Sequence, residues 1–485
     1  MKLPCRNTGY SRLTPIVTDV IVWAPCDSVW IARASGAVHD VTDAITAHQE
    51  GSHMPAVTSS DICVGYATHP EGEGGLELVV TMDETPCLRI PLFTSPHVAR
   101  LALAGKPFHA VPAAVAGACA QQGVCHQVAA VEALEAAFGI EATPLMKAHR
   151  RLLLLAQWIQ GHAVHIHFLA APGLLGHATS FELASARPEI VQRALRLKKL
   201  GAELTGIVGG RRSAPLPLRI GGTPPIPSRA AIERALRRLE RGRADALESA
   251  ALVSQIRVPP LSIPSEQVAV REEKEYPVHA GRIASTAGLD LPVSHYHQEI
   301  QWHALAAGNP LTCHARGPAP LLVGPLARLN LNQDNLSTTA SQALQSCGLS
   351  LPSHNPLESV VARAVELVHA VDECSRLLGE MEWRDEEVRY EVTAGEGAAA
   401  VESPRGLLYH RYRVDAGGAV REAVIISPAS HNVLNMEAAV RAVASQETEE
   451  RGDPLRMRLA MVARSYDPCA TCSRNVAGLG FCLDA

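Results

Sequence analysis

Apolar residues recur three or four positions apart over most of the chain after residue 125, which is the spacing of one helix face. Proline in the first turn of a helix and serine just before that turn both mark helix starts. Proline lacks the N–H that would have no partner there, and the serine hydroxyl accepts a hydrogen bond from an N–H of the first turn. On this basis helices are predicted at 126–138, after Pro144, from Pro188 to Gly209, at 229–254 behind Ser228, at 355–380 and at 434–447.

Strand-like alternation is confined to short stretches. Residues 15–37 and 76–82 alternate apolar and polar positions, and 407–414 and 419–426 flank the turn sequence DAGG. The stretches 209–228 and 255–265 are rich in Pro and Gly and are predicted to be loops. The chain is therefore expected to be an α-rich α+β protein, with a helical core and small sheets near the N-terminus and around 385–426.

Composition narrows the class of protein. Of the 485 residues 47% are hydrophobic and 19% charged, as in globular proteins, and the net charge of −5 argues against a nucleic-acid partner. The most apolar helix candidate, 143–171, contains Arg150 and Arg151 and is not expected to span a membrane. Without a signal-like start, the protein is expected in the cytoplasm, with its twelve cysteines as thiols or ligands.

The clearest candidate chemistry lies in cysteines at distant positions. Cys469 and Cys472 form a C-x-x-C behind Asp467-Pro468, and Cys119 lies about 350 residues upstream in GACAQQGVCH. A C-x-x-C alone would indicate a redox or zinc pair. Thiolates that converge from both ends of a chain would instead form one buried centre, for which soft metals such as nickel or iron are suitable.

Several further motifs follow one another in a recognisable order. With the cysteine motifs they resemble the large subunit of nickel–iron hydrogenases of the cytoplasmic, cofactor-coupled type. They are HPEGEG at 69–74, GGRRSAPLPLRIGG at 209–222, VGPLARLNLN at 323–332, SPRGLLYH at 403–410 and SPASHN at 427–432. The resemblance covers a hydrogenase large-subunit-like domain at 66–485, and residues 1–65 form an unmatched N-terminal extension with strands.

The resemblance implies a ligand set with one departure. Cys119 and Cys469 would be terminal nickel ligands, and Cys472 would bridge nickel to an iron that also carries cyanide and carbon monoxide. Where the family has its second upstream cysteine, three residues after Cys119, this chain has Gln122. A carboxamide cannot bridge two metals as a thiolate does, so the fourth ligand position is either Gln122 or, with a local backbone shift, Cys125.

The resemblance also assigns roles around the metals. Glu71 would relay protons from a nickel-bound thiolate, Arg405 would overhang the metals, and His126 would hydrogen-bond a bridging sulfur. Without a metal these three would be a loop carboxylate, a paired loop arginine and a core histidine. The diatomic ligands would lie in an apolar pocket beside Pro404, Pro428 and Ser430, the last replacing a hydroxyl absent at Ala429.

Two other positions depart from the family. Arg100 and Asn475 fall where the family binds magnesium through a glutamate and a histidine, so a guanidinium could replace that cation. The chain then continues through VAGLGFCLDA, which is predicted to stay attached. His162, His165 and His167 share one helix, but the corresponding family helix carries histidines without a metal.

The function implied is the large subunit of a hydrogenase complex that activates or evolves H2 heterolytically. Electrons would pass to an iron–sulfur small subunit and from there to further electron-transfer subunits, since this chain has no ferredoxin-type cluster motif. Maturation factors would load the nickel–iron centre. The alternative is a divergent, non-catalytic or altered-chemistry subunit of a redox complex, as in the relatives found in respiratory complex I.

Overall fold

The computed structural model forms two compact units, Met1–Asp61 and Ile62–Ala485. Outside the ranges that follow, only the backbone of short strands and of the helical residues 446, 453, 454 and 456 is described. The fully described residues are 103–117, 119, 122–177, 180–300, 317, 319–445, 455 and 457–467. The division at residue 65 that the motifs suggest stays a prediction.

Helices dominate the second unit. In chain order the α-helices are α1 (Val111–Gly117), α2 (Gly123–Ala137), α3 (Pro144–Val164), α4 (Ala171–Leu174), α5 (Ser180–Ala186), α6 (Pro188–Gly209), α7 (Arg229–Ser254), α8 (Tyr296–Glu299), α9 (Pro325–Asn332), α10 (Thr338–Cys347), α11 (Ser359–Glu380), α12 (Pro428–Gln446) and α13 (Asp453–Ser465). A π-helical turn, His165–Ala170, joins α3 to α4.

The core is a bundle of the four longest helices. Helix α3 packs against α6 and α11, and α7 packs against α6 and α11. Their apolar faces form one cluster that includes Trp158, Leu204, Leu239 and Leu367, all almost fully buried. Helices α6 and α7 bury one face and expose the other, as the helical periodicity of the sequence predicts, whereas α3 and α11 are buried over most of their surface.

The sheets are small and peripheral. The strands are β1 (Asp19–Trp23), β2 (Val29–Arg33), β3 (Val38–Asp40), β4 (Ile62–Cys63), β5 (Tyr66–Ala67), β6 (Gly75–Val80), β7 (Cys87–Ile90), β8 (Glu266–Arg271), β9 (Arg282–Ser285), β10 (Asp290–Pro292), β11 (Gln301–Ala304), β12 (Leu311–His314), β13 (Leu321–Leu322), β14 (Gly395–Ser403), β15 (Gly406–Val414), β16 (Val420–Ile426) and β17 (Leu479–Gly480). The orders are β1-β2-β3, β10-β9-β8-β13, β11-β12, β14-β15-β16 and β17-β7-β6-β4, with β5 paired to β6.

One helix–strand contact positions the candidate site. A Cβ on Gly395 would lie 2.1 Å from the carbonyl oxygen of Ala137, and one on Gly397 would lie 2.2 Å from that of Ala133. Only glycine allows β14 to approach α2 this closely. The order of these contacts shows that β14 runs antiparallel to α2, so its far end, at Ser403, points toward the N-terminus of α2.

The predicted fold class is confirmed: helices form the core and the sheets are small. Helix α6 begins at Pro188 and α7 follows Ser228, whose side chain accepts a hydrogen bond from the Ala231 N–H. Helix α12 starts at Pro428, six residues before the predicted start at 434. Among the described residues, no helix is both long and apolar enough to cross a bilayer.

Candidate functional site

The upstream cysteine motif forms the entry to α2. The backbone N–H of Gln122 donates to Cys119 Sγ at 3.2 Å, so the sulfur satisfies a donor at the helix N-terminus. Both side chains are buried, at 3% and 2% exposure. Gly123 has no room for a side chain, since a Cβ would lie 2.7 Å from the Ala116 carbonyl oxygen. The loop is therefore held tightly, with Cys119 and Gln122 in the interior.

Cys125, the other candidate for the fourth ligand, lies one turn further into α2. Its thiol is completely buried in the main apolar cluster. Burial raises the pKa of this thiol, the charge of Cys119 raises it further, and Arg328 and Arg405 oppose the change. In the absence of a metal, Cys125 is therefore a protonated thiol in the apolar core at neutral pH.

Pro404 and Arg405 form a tight turn between β14 and β15, here called the 404–405 turn. The Ser403 hydroxyl donates to the Gly406 carbonyl oxygen at 2.9 Å and accepts from the Arg405 N–H at 3.3 Å. Gly324 supports the turn from outside, where a Cβ would lie 2.9 Å from the Arg405 carbonyl oxygen. Since β14 runs toward the N-terminus of α2, the turn is directed toward the cysteine loop.

The segment that leads into the C-terminal cysteines reaches this turn. Asp467 Oδ2 lies 3.1 Å from Arg405 Nε, and both side chains are 8% exposed. Asp467 has a φ of 50°, which is uncommon for a residue other than glycine. Cys469 follows two residues later, and consecutive Cα atoms are about 3.8 Å apart, so its backbone is within about 8 Å of that of Asp467. The side chains of Cys469 and Cys472 lie outside the described residues.

A second guanidinium lies beside the same carboxylate. Arg363 Nη1, from α11, lies 3.7 Å from Asp467 Oδ2 and donates to the Pro404 carbonyl oxygen at 2.9 Å. Burial lowers the pKa of Arg363 to about 10, with Asp467 acting in the opposite direction. Arg363 remains charged at neutral pH.

His126 lies one turn above Gln122 and faces the sheet. Its Nδ1 is 3.1 Å from His410 Nε2, and His410 Nδ1 is 2.7 Å from the Tyr412 hydroxyl. Burial, with the neighbouring His126, holds the pKa of His410 well below its usual value, so His410 is neutral. The structure thus places His126 in a buried hydrogen-bonded chain that begins at the cysteine loop.

The start of α12 is also linked to the 404–405 turn. The Ser430 N–H donates to the Ser427 hydroxyl at 3.2 Å, and the two hydroxyls are 3.1 Å apart. The Asn432 side chain bonds both the N–H and the carbonyl oxygen of Val323, at 2.8 and 3.1 Å. Val323 precedes Gly324, which supports the 404–405 turn. Pro428 and Ser430 are thereby attached to the turn through one short loop.

Behind the turn is a buried ionic cluster that the sequence did not predict. Arg328, completely buried, bonds both carboxylate oxygens of Glu366 at 2.7 and 2.6 Å and one of Glu402 at 2.9 Å. Its guanidinium carbon lies 4.3 Å from the ring centroid of Trp158. The Tyr276 hydroxyl also donates to Glu366, at 2.7 Å. Charged residues inside an otherwise apolar helix stripe, such as Glu366 in RAVELV, were the available signal.

The three histidines near the end of α3 each contact a protein partner. His162 Nε2 is 3.0 Å from Glu366 Oε2, His165 Nε2 bonds the Arg464 carbonyl oxygen, and His167 bonds Ala163 and Ser249. Burial lowers the pKa of these imidazoles to about 4, about 3 and about 4 respectively. Within the described residues no three His, Cys, Asp or Glu side chains meet as a metal site.

Several predicted site residues fall outside the described part of the chain. Glu71, Arg100 and Asn475 belong to this group, as do Cys469 and Cys472. Cys119, Gln122, His126, Pro404, Arg405, Pro428 and Ser430 are described. Pro428 and Ser430 are linked to the 404–405 turn through Val323 and Gly324, whereas Cys119, Gln122 and His126 are linked to β14 and β15 through the packing of α2 and the bond from His126 to His410.

Comparison with known proteins shows what this chain is similar to. No model of a known protein family matches the chain. The alpha subunit of sulfhydrogenase 1 from Pyrococcus furiosus is 26% identical over 426 residues, which cover 86% of this chain and 98% of the relative. The alpha subunit of sulfhydrogenase 2 from the same organism is 27% identical over 424 residues, covering 84% and 97%.

Comparison of the fold with solved structures agrees with the sequence comparison. The crystal structure of an NAD+-reducing nickel–iron hydrogenase in the H2-reduced state superposes with a TM-score of 0.77 at 22% identity, over 86% of this chain and 100% of that one. The fold is that of a nickel–iron hydrogenase large subunit. The homologues of this chain are hydrogenase alpha subunits, which confirms the resemblance stated from the motifs.

Proposed function

We propose that this chain is the large subunit of a nickel–iron hydrogenase-type complex that interconverts H2 with two protons and two electrons. The observation that carries the proposal is the contact between Asp467 and Arg405. It joins the segment before the C-terminal cysteines to the 404–405 turn, which β14 directs toward Cys119. The two relatives described above, which are matched over 98% and 97% of their length, are alpha subunits of sulfhydrogenases.

Cys119, Cys469 and Cys472 would hold the metals. The motifs supply three thiolate ligands for such a centre, not four. At position 122 the chain has a buried carboxamide. The remaining nearby thiol, Cys125, is completely buried in the main apolar cluster. Gln122 would therefore border the centre as a neutral ligand or hydrogen-bonding group, and a nickel–iron pair with cyanide and carbon monoxide, when bound, would supply the Lewis acid that polarises H2.

The protein groups around the centre have distinct tasks. Arg405, with its carboxylate partner Asp467, presents a guanidinium toward the site and keeps it in one orientation. His126 is held by His410 and can orient a sulfur of the cysteine loop. Glu71 is the proposed proton acceptor from Cys469, while Pro404, Pro428 and Ser430 line the pocket for diatomic ligands.

Electrons require a second protein. The chain has no ferredoxin-type cluster motif, so an iron–sulfur small subunit is the proposed acceptor, followed by further electron-transfer subunits. Maturation factors would insert the metals, and the cytoplasm is the proposed location. Arg100 and Asn475 align with the residues that bind magnesium in the family. We propose that the guanidinium of Arg100 takes the place of that ion.

One observation favours a second candidate function, an altered-chemistry or non-catalytic subunit of a redox complex. Gln122 occupies the position of a bridging thiolate, and it is buried beside Cys119. In this alternative the fold and the partner surface are kept, while hydrogen chemistry is lost or changed.

Metal analysis of the native complex distinguishes the two functions. The protein purified with its partner subunits is expected to contain nickel and iron and to reduce a viologen dye under H2. Infrared bands of bound cyanide and carbon monoxide would identify the iron. Cys469→Ser is expected to lose nickel and activity together, while Cys347→Ser, a half-buried cysteine on α10, serves as the matched control. A native complex without nickel would overturn the hydrogenase proposal and support the alternative.

A further inference from the structure

Arg363 contacts both segments that meet at the candidate site. Its Nη1 donates to the Pro404 carbonyl oxygen at 2.9 Å and lies 3.7 Å from Asp467 Oδ2. The first contact fixes the 404–405 turn, and the second fixes the segment two residues before Cys469. The side chain is 1% exposed, so both contacts are made away from solvent.

We propose that Arg363 is a positioning residue that sets the 404–405 turn and the C-terminal cysteine segment in register with each other. Arg405 is attached to a turn, whereas Arg363 extends from the second turn of α11, a helix of the central bundle. Arg363 therefore provides a rigid reference for two segments that have little regular structure of their own.

The base of Arg363 is itself immobilised. Glu366 lies one helical turn along α11 and is held by Arg328, Tyr276 and His162. His162 also faces Arg363, with its Nδ1 3.5 Å from Arg363 Nη1. Arg363 carries the position of this anchored helix to both segments of the site, and Ser359, one turn earlier on α11, adds a hydrogen bond from its hydroxyl to the Ser465 carbonyl oxygen at 2.8 Å.

The contacts of Arg363 also require an arginine at this position. Asp467 receives positive charge from Arg405 and Arg363 together, and Arg363 also satisfies a backbone carbonyl. A lysine has one compact ammonium group and would satisfy fewer of these acceptors in fixed directions, whereas a methionine would satisfy none. The carboxylate would then keep Arg405 but lose its attachment to α11.

The consequence for the metal centre rests on the proposed function, but the positioning itself does not. The test compares Arg363→Met and Arg363→Lys with the native protein in its purified complex. Hydrogen–deuterium exchange is followed in peptides covering 403–407 and 460–467, and nickel per chain is measured in the same samples.

Arg363→Met is expected to speed exchange in both peptides by roughly tenfold or more, the typical effect of losing a charged buried hydrogen bond. Nickel per chain should fall with it, and Arg363→Lys should recover part of both. Arg150→Met is the matched control, since Arg150 is also buried and paired, with Glu135 at the far end of α2. It should lower the melting temperature without changing exchange at 403–407.

A double variant separates positioning from general damage. If Arg363 acts through Asp467, the exchange at 460–467 in Arg363→Met with Asp467→Asn should be no faster than in the more affected single variant. Native exchange in both peptides of folded Arg363→Met and Arg363→Lys would overturn the inference. Native protein without nickel would overturn the proposed function instead, and the exchange data would still decide the role of Arg363.

Discussion

Gly161 on α3 lies directly against the ring of Pro404, where a Cβ would be 2.7 Å from Pro404 Cβ and 2.9 Å from Cγ. The ring is rigid and cannot turn away. Helix α3 can therefore pack this closely against the 404–405 turn only because residue 161 has no side chain. We predict that even a methyl group at position 161 displaces the turn.

Gly161→Ala is expected to lower hydrogen-dependent dye reduction strongly. The overlap with Pro404 should destabilise the fold by about 1–3 kcal/mol, which outweighs a gain of about 1 kcal/mol in helix propensity. Gly379→Ala, at an open site on α11 with no atom within 4 Å, is the matched control. Denaturant unfolding and dye reduction are measured for both, and equal behaviour of the two variants would contradict the proposed contact.

Gln122→Cys tests the departure from the four-thiolate pattern. A thiolate at this position can bridge two metals, so iron and nickel per chain should rise relative to the native protein. Gln122→Ser matches the smaller size but offers no thiolate. If elemental analysis finds no more metal in the cysteine variant than in the serine variant, position 122 is not directed into the centre.

Cys125 and Cys119 are expected to respond oppositely to replacement. Cys125→Ala should keep its metal and lose about 1 kcal/mol of stability, because it removes a buried apolar atom. Cys119→Ala should lose the metal, since Cys119 is a proposed ligand. Elemental analysis and denaturant unfolding of the two variants decide the matter, and metal loss in Cys125→Ala would make Cys125 the fourth thiolate.

Buried histidines should make stability depend on pH. Burial lowers the pKa of His149 to about 4 from 6.5. The unfolded chain therefore binds the proton more tightly, and the stability that His149 contributes is complete above about pH 6.5 and is lost as pH falls toward 4. Its share of the slope is at most ~1.4 kcal/mol per pH unit.

His149→Gln should flatten this dependence. The unfolding free energy is measured between pH 4.5 and 7.5, and the variant should lose less stability on acidification than the native protein, although it starts lower. A variant with an unchanged slope would mean that His149 takes up its proton without unfolding.

The C-terminal tail is predicted to remain on the protein. The backbone of Leu479 and Gly480 pairs with Ile90 and Arg89 of β7, which extends a sheet of the body. Removal of the tail near Asn475 would leave that edge of β7 without its partner. Intact mass spectrometry of the native complex should give the full chain, and a species that ends near Arg474 or Asn475 would show that the tail is cleaved.

The sequence predicted helices best where their ends are marked locally. Pro188 and Ser228 start α6 and α7 where expected, because the start depends on one residue and the turn after it. Helix α12 was predicted too short, since its first turn had been assigned to the pocket motif at 427–432. Helices α9, α10 and α13 were not predicted, although Pro325 and Ser337 mark the starts of α9 and α10, because helices of 8, 10 and 13 residues are too short to show a clear period and depend on packing for their stability.

The residues of the candidate site were likewise predicted only in part from the sequence. The order of motifs identified Gln122 and His126 near the start of α2 and Arg405 in the 404–405 turn, and their assignment to one site stays a prediction. Arg363 and Glu366 carried no motif and were assigned only to an amphipathic helix. Their importance depends on partners as distant as Pro404 and Asp467, about 40 and 100 residues away in the chain, which no local spacing reveals.

The buried ionic groups also dictate when this protein can finish folding. Arg328, Arg363 and Arg405 are matched by Glu366, Glu402 and Asp467, so the charges balance only when all the segments are together. An uncompensated charge resists burial. A ribosome makes Asp467 about 100 residues after Arg363 and about 60 after Arg405, so a nascent chain must keep both arginines hydrated until Asp467 has emerged. The interior beside the site therefore cannot close while the segment before the C-terminal cysteines is still being made.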